Sequence, residues 1–166
     1  MLVDEHLQPD PVPFVKKLLP CKNACHCLGS LLLSLRYLPT VGTIEVIVMK
    51  ADRLPVQVGC TGRSGLIVKV NMLYSMKKVE KKRTEIVGCC PDPVWNQHMT
   101  FDVPFTQKRD ILLVFELKHV HKTLPTTSLG KVVIGQKAKG SPLNHWSDVL
   151  HSPREAIAMW HSIIKK

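Results

Sequence analysis

Residues 111–134 read ILLVFELKHVHKTLPTTSLGKVVI, and this stretch decides the predicted fold. Its two ends, residues 111–117 and 129–134, are apolar runs rich in β-branched side chains. Runs of about six to eight such residues, bounded by Thr, Pro and Gly, are typical of β-strands rather than helices. The segment between them, residues 118–128, has two lysines, two histidines and no carboxylate. The stretch therefore predicts two neighbouring strands joined by a basic loop.

The same pattern recurs along most of the chain. Apolar segments follow one another at spacings of about 10–15 residues with turn-forming residues between them, which is typical of an antiparallel β-sandwich. One helix is predicted before the last strand, because Ser141 offers an N-cap, Pro142 fits the first helical position and Trp146 lies on an apolar face. The other predicted strands are residues 31–38, 44–48, 66–74, 84–87, 99–103 and 157–163.

The first 28 residues differ in composition from the rest of the chain. They contain four prolines and three closely spaced cysteines, Cys21, Cys25 and Cys27. We predict a flexible extension over residues 1–28 and one folded domain over residues 29–166. The cysteines have three interpretations: plain free thiols, sites of reversible acylation, or zinc ligands, for which their spacing is unusually tight. The start of the chain lacks the basic and apolar regions of a signal peptide, so we expect reduced cysteines.

Charge and composition narrow the classes of function. The chain has 166 residues, 45% of them apolar, and a formal charge of +10 from 23 basic and 13 acidic residues. A basic chain binds partners of opposite sign, such as anionic lipid or acidic protein surfaces. Aromatic residues make up 5% of the chain, which gives no stacking platform for nucleic acid. No Cys/His pair stands at a catalytic spacing, so we expect no enzyme, no metal and no cofactor.

Several short blocks occur in one order between residues 29 and 163. They are SLRYLPT from Ser34, PVWN from Pro93, FDVPF from Phe101, LGKV from Leu129, HWSDVL from His145 and AMWH from Ala158. Together they resemble the second C2 domain of a synaptotagmin or of a related tandem C2 protein. The resemblance implies an all-β fold, an eight-stranded antiparallel C2 β-sandwich with one short helix before the last strand. It also implies three loops at one pole of the sandwich.

Calcium-binding members of this family have a calcium site whose residues this sequence does not match. Calcium-binding members hold the ion with acidic residues in the first and third loops, because calcium takes about 6–8 oxygen ligands. Carried over to this chain, those positions are not acidic, which implies an atypical, calcium-independent member. The degenerate calcium positions are Gln57, Gly65, Lys118, Val120 and Thr127.

The predicted loops carry basic and apolar side chains that could contact a membrane. One interpretation is that they face anionic lipid without calcium, with two histidines that gain charge as the pH falls. The other is a decayed site whose loops have become solvated. The residues expected to face a membrane are Arg53, Arg63, Lys118, His119, Val120, His121, Lys122 and Leu124.

A second cationic segment matches the polybasic strand of the same family. In the family this strand is associated with phosphoinositide headgroups and with acidic faces of trafficking proteins. The alternatives are an edge strand that its lysines keep soluble and a nuclear localisation signal. The predicted binding residues are Lys77, Lys78, Lys81, Lys82 and Arg83.

The sequence thus predicts a calcium-independent C2 domain that binds phospholipids, phosphoinositides and trafficking proteins in vesicle traffic or exocytosis. We expect it to be cytoplasmic and peripheral on membranes or vesicles, as part of a longer, membrane-anchored protein. Oligomerisation with other C2 proteins is a further expectation, and nucleic acid is not expected as a partner. The alternative is a protein-interaction scaffold of a tandem C2 protein without a membrane role, with a nuclear location.

Overall fold

A computed structural model describes residues 15–16, 27–56, 64–104 and 106–165, with the backbone alone for residues 15, 16 and 27. These residues form eight long β-strands, one α-helix and two two-residue strands, Val15–Lys16 and Val87–Gly88. The long elements are β1 (Cys27–Leu38), β2 (Thr43–Asp52), β3 (Gly65–Tyr74), β4 (Lys77–Arg83), β5 (Val94–Asp102), β6 (Ile111–Val120), β7 (Thr127–Gly135), α1 (Ser141–His151) and β8 (Ile157–Ile164).

The long strands form two sheets that face each other. Their order is β4-β3-β6-β7-β8-β1-β2-β5, and all neighbouring pairs are antiparallel. Among the described residues, β7 and β8 share a single pair, Lys131 with Ile164. The order therefore divides into the four-stranded sheets β4-β3-β6-β7 and β8-β1-β2-β5. The predicted eight-stranded antiparallel sandwich, with one short helix before the last strand, is confirmed.

The core lies between the two sheets because apolar residues alternate along the strands. On β3, Val68 and Val70 are fully buried, while Lys69 between them projects to the outer face of the sheet. Facing strands contribute Leu33 and Val46 in the same way. This alternation determines which polar side chains reach the outer face, where the candidate site lies.

Helix α1 is attached to β8 by a chain of buried hydrogen bonds. The hydroxyl of Ser141 donates to Nδ1 of His161 (3.0 Å), and Nε2–H of His161 donates to Nδ1 of His145 (2.7 Å). Nε2–H of His145 then donates to the carbonyl oxygen of Ile157 (2.7 Å). The tautomers of both histidines follow from the last of these bonds, because a carbonyl oxygen can only accept a hydrogen bond. Nε2 of His145 must therefore carry a proton, which leaves its Nδ1 to accept from His161. Burial and the neighbouring His145 lower the pKa of His161 to about 3, so this chain is neutral.

Two details of the helix prediction are corrected. The N-cap is Gly140 and Ser141 is the first helical residue, so Pro142 lies at the second helical position and not at the predicted first. The hydroxyl of Ser141 bonds to β8 instead of capping the helix, since no side-chain capping bond is present there. Trp146 is fully buried under the sandwich end. No helix in the described residues is long and apolar enough to cross a membrane.

Two predicted boundaries also differ from the structure. The strand predicted at residues 84–87 is wrong, because the preceding polar segment forms β4, which ends at Arg83, and the next strand is Val87–Gly88. Beyond the end of β4, the backbone N–H of Thr84 donates to the carbonyl oxygen of Val68 (3.0 Å), and its hydroxyl accepts from the backbone N–H of Val68 (3.0 Å). Within the predicted extension, Val15–Lys16 pairs in parallel with β8, and β1 begins at Cys27. Cys21 and Cys25 lie outside the described residues.

Candidate functional site

The basic strand β4 presents three of its cations on one face. Residues directly opposite each other on antiparallel strands project to the same face of a sheet. A β-bulge at Val79 interrupts the alternation of β4 and brings Lys78 onto the same face as Lys81. The residues of β3 opposite these three cations alternate with the core residues Val68 and Val70. The cations therefore lie on the outer face of the sheet. The cross-strand pairs are Lys69 with Arg83, Asn71 with Lys81 and Leu73 with Lys78.

A pocket of about 330 Å³ opens on this outer face between β3 and β4. Lys69, Lys81, Lys82 and Arg83 line it together with the buried Asn71. Ammonium and guanidinium groups around a polar floor supply the charge-assisted hydrogen bonds that phosphate oxygens accept. Lys69 was not among the residues predicted from the sequence, although its place between Val68 and Val70 marks it as outward-facing.

Lys82 differs from its neighbours because its ammonium turns toward the other sheet. Its Nζ donates a hydrogen bond to the carbonyl oxygen of Thr100 on β5 and lies 3.1 Å from Oε1 of Glu80. It also lies 5.0 Å from the ring centroid of Phe101. Lys82 was predicted as a binding residue and lines the pocket, but in the structure its charge already has these partners. Lys77, at the start of β4, is exposed and lies outside the pocket lining.

A carboxylate surrounded by lysines lies beside this pocket on the same face. Glu116 of β6 is directly opposite Lys69 on one side and Lys131 on the other. Its Oε2 lies 2.9 Å from Nζ of Lys118. The sequence placed Lys118 in a loop that faces a membrane, but it belongs to β6 and its ammonium lies over the sheet. A smaller pocket of about 170 Å³ here is lined by Val114, Glu116, Lys118, Ser128, Gly130 and Lys131.

Three loops meet at one end of the sandwich, as the sequence predicted. We call this end the loop pole; its described residues are 53–56, 84–93 and 121–126. The first two loops are joined directly, since the backbone N–H of Arg53 donates to Oδ1 of Asp92 (3.1 Å). Strands β2, β4 and β6 end here and β3, β5 and β7 begin here, so the loops share one surface.

The loop pole exposes both apolar and basic side chains. Leu124, predicted to face a membrane, is 65% exposed, and Arg53 and Lys122 are exposed beside it. Ile86 in the second loop is 52% exposed and was missed, because the sequence interpretation treated it as part of a strand. The predicted residues Gln57 and Arg63 lie outside the described residues.

The two histidines of the third loop face inward more than the sequence suggested. His119 belongs to β6, and its Nε2 lies 3.1 Å from Sγ of the buried Cys89. The ring centroids of His119 and His121 are 3.9 Å apart. Burial, and to a smaller extent His121, lower the pKa of His119. Desolvation and a second imidazole therefore disfavour the charged form that His119 was expected to adopt as the pH falls.

Two degenerate calcium positions lie directly opposite each other. Gly65 of β3 pairs with Val120 of β6, so the ladder extends through both positions. A Cβ at Gly65 would lie 2.4 Å from Cγ2 of Ile86 and 2.4 Å from the carbonyl oxygen of Val87, which leaves no room for a side chain. Thr127 begins β7, and its Oγ1 lies 3.2 Å from Nε2 of His121. The described residues include no group of three or more His, Cys, Asp or Glu that could hold a metal ion.

Comparisons with known proteins point to one family. The profile of the C2 domain matches residues 42–149. Synaptotagmin 1 of Drosophila melanogaster is 36% identical over 136 residues, covering 82% of this chain and 28% of that protein. Synaptotagmin-1 of Caenorhabditis elegans is 35% identical over 142 residues, covering 86% of this chain and 32% of that protein. The chain thus spans less than a third of the length of these curated relatives.

Solved structures show the same fold. A C2 domain of RIM from Drosophila superposes with a TM-score of 0.60 at 22% identity, covering 81% of this chain and 97% of that domain. The first C2 domain of human synaptotagmin XIII gives a TM-score of 0.58 at 13% identity, covering 82% and 86% respectively.

Proposed function

Because the chain belongs to the C2 domain family, we propose that it binds phosphorylated anionic headgroups of membranes through the outer face of β3 and β4. The observation that carries this proposal is the pocket in which Lys69, Lys81 and Arg83 surround Asn71. Each basic residue held near an anionic leaflet contributes about 1 kcal/mol to binding. Because three cations surround one pocket, it should bind phosphoinositides more tightly than singly charged lipids.

The binding is independent of calcium. A calcium-binding pole needs several carboxylates, whereas the described degenerate positions are a glycine, a lysine, a valine and a threonine. The close approach of the backbone oxygen of Val87 to Gly65 supports the same conclusion, because it leaves no space for an aspartate side chain there. The exposed Leu124 and Arg53 give the loop pole the mixed apolar and basic surface that suits shallow contact with lipid.

The cellular role that fits this binding is in membrane traffic. The chain is a binding module, the second C2 domain of a longer synaptotagmin-like tandem C2 protein, and it is peripheral on membranes or vesicles. Its identity of 36% with synaptotagmin 1 supports this assignment. Trafficking proteins with acidic surfaces complement the same basic face.

Sedimentation with vesicles tests the proposal. Phosphatidylcholine vesicles containing phosphatidylinositol 4,5-bisphosphate are mixed with the parent domain in calcium and in chelator. The double variant Lys81→Gln, Arg83→Gln is compared with Lys139→Gln, Arg109→Gln, which removes the same charges from exposed residues of the other pole. We expect equal binding with and without calcium and a loss of about 25-fold in the first variant only, from about 1 kcal/mol for each cation.

Two results would contradict this function. The first is binding that disappears in chelator, which would require a calcium site. The second is a parent domain that binds an acidic protein but no anionic vesicle, which would favour the protein-interaction scaffold.

A further inference from the structure

We propose that the outer face carries a second phosphate-binding pocket, formed by Lys118 and Lys131 between β6 and β7. The two pockets together select a ligand with phosphates at two or more positions of one ring. This inference rests on the proposed function, since it names the headgroup that the same face binds. The ligand class is a polyphosphorylated inositol, as a lipid headgroup or as a soluble molecule.

The geometry of the smaller pocket fits one phosphate. Its volume is about 170 Å³, and it lies on the same face as the larger pocket. Lys118 and Lys131 are half-buried and supply ammonium donors, while Ser128 supplies a hydroxyl group. Gly130 also lines the pocket, although a Cβ there would point away from it toward Ile163.

Glu116 lies between the pockets and explains how the lysines are held without a ligand. It is the sole carboxylate among the residues that line the two pockets. Neighbouring strands are about 4.8 Å apart, so the cations on either side of Glu116 lie within the screening length of about 8–10 Å and repel one another. One carboxylate offsets only part of this repulsion, which a phosphate beside Lys118 and Lys131 relieves further.

The spacing of the pockets determines the kind of ligand. The first lies between β3 and β4 and the second between β6 and β7, so their centres are about two strand spacings, or about 10 Å, apart. A single phosphate makes charge-assisted bonds of about 2.8 Å and reaches only one of them. A ring that carries phosphates on separate carbons reaches both at once. The face therefore favours a bisphosphate over a monophosphate.

The position of Lys118 connects this pocket to the lost calcium site. In calcium-binding relatives, as the sequence resemblance implies, this position carries an acid. Here the side chain is a lysine whose ammonium lies over the sheet face, 2.9 Å from Glu116. The substitution that removes a calcium ligand therefore also adds a cation to the phosphate-binding face.

The test compares two lipids and one soluble ligand. The double variant Lys118→Gln, Lys131→Gln is measured on vesicles that contain phosphatidylinositol 4,5-bisphosphate or, at equal surface charge, phosphatidylinositol 4-phosphate. Isothermal titration with inositol hexakisphosphate gives the affinity for the soluble ligand. We expect a loss of about 25-fold for the bisphosphate and for inositol hexakisphosphate, with less than about twofold for the monophosphate. The charge-matched control Lys139→Gln, Arg109→Gln should bind all three as the parent does.

A gain of affinity provides the complementary measurement. Glu116→Gln keeps the side-chain shape but removes the charge that competes with phosphate, so the bisphosphate should bind about fivefold more tightly. Thermal unfolding of each variant establishes that the domain remains folded. Because Glu116 also faces Lys69 of the first pocket, tightening by Glu116→Gln for the bisphosphate that exceeds the tightening for the monophosphate supports the second pocket, even if the lysine variant fails to fold.

The outcomes separate this inference from the proposed function. If the parent and Lys118→Gln, Lys131→Gln bind the bisphosphate equally, or if the variant loses both lipids to the same extent, the second pocket is refuted while the first remains. If only inositol hexakisphosphate binds, the ligand is a soluble polyphosphate and the membrane role fails. A parent that binds neither vesicles nor inositol hexakisphosphate overturns both proposals.

Discussion

The ammonium of Lys82 donates a hydrogen bond to the carbonyl oxygen of Thr100, and this contact joins the edge strands of the two sheets. Among the described residues, β4 pairs only with β3 and β5 only with β2. The sandwich is therefore open along this side, and Lys82 bridges it with its ammonium 5.0 Å from the ring centroid of Phe101. The basic strand thus combines one structural lysine with the cations of the candidate site.

We predict that Lys82→Ala destabilises the domain more than Lys81→Ala does. The first change removes a hydrogen bond from a charged donor and leaves the carbonyl of Thr100 without it, a loss of about 1–2 kcal/mol in the free energy of unfolding. The second removes an exposed side chain and should stay within about 0.5 kcal/mol. Denaturant unfolding monitored by circular dichroism gives both values. Equal stabilities would show that Lys82 does not bridge the sheets.

A second prediction concerns the calcium position at Gly65. A Cβ there would lie 2.4 Å from the backbone oxygen of Val87, whereas a Cβ at Gly88 would meet nothing within 4 Å. We expect Gly65→Ala to cost about 1–3 kcal/mol, as overpacking does, and Gly88→Ala to stay within about 0.5 kcal/mol. Thermal and denaturant unfolding measure both.

The same position also tests whether an acid restores calcium binding. We expect Gly65→Asp to give no heat of calcium binding in isothermal titration, because a single carboxylate supplies too few of the oxygen ligands that calcium needs. Saturable calcium binding by this variant would mean that the loops rearrange to rebuild the site.

Much of the fold was predictable from the sequence because the core strands repeat apolar residues with period two. Val68 and Val70, or Leu33 and Leu35, identify a strand with one buried face without any knowledge of its partner. Strand β4 lacks this signal, since six of its seven residues are charged. The hydrophobic pattern therefore placed this strand too far along the chain, at residues 84–87. Only the resemblance to a polybasic strand identified the segment that forms β4.

The candidate site was less predictable because it depends on pairs that are distant in sequence. The bulge at Val79, which puts Lys78 and Lys81 on one face, is a property of the pairing with β3. The partner of Lys82 lies on the opposite sheet. His119 reads as a loop residue, yet the ladder with β3 extends the strand beyond it. Local patterns do not contain these relationships.

The buried histidine chain predicts how stability depends on pH. His161 has a pKa of about 3 in the folded domain, against about 6.5 in the unfolded chain. Between these values the unfolded state binds more protons, so the free energy of unfolding is largest above pH 6.5 and falls as the pH is lowered toward 3. The slope from this one residue approaches 1.4 kcal/mol per pH unit.

Denaturant unfolding at a series of pH values measures this slope. His161→Gln keeps a donor toward His145 and an acceptor toward Ser141 without titrating, so its curve should be flatter between pH 4 and 6. His98→Gln, at a side chain that is 53% exposed, is the control and should retain the parent slope. A parent curve that is flat in this range, or an unchanged slope in His161→Gln, would show that the chain does not carry the pH dependence.

The last prediction decides between a loop pole that still contacts lipid and one that is merely solvated. Ile86 and Leu124 are both more than half exposed there, and Val41 is 70% exposed at the other end of the sandwich. If the pole inserts shallowly, Ile86→Ser with Leu124→Ser should weaken sedimentation with phosphatidylserine vesicles in chelator, since each side chain loses roughly 1–2 kcal/mol of apolar burial. Val41→Ser removes a comparable exposed side chain and should leave binding unchanged. Equal sedimentation of all three proteins would assign membrane binding to the sheet face alone, because no apolar contact from the loops would then contribute.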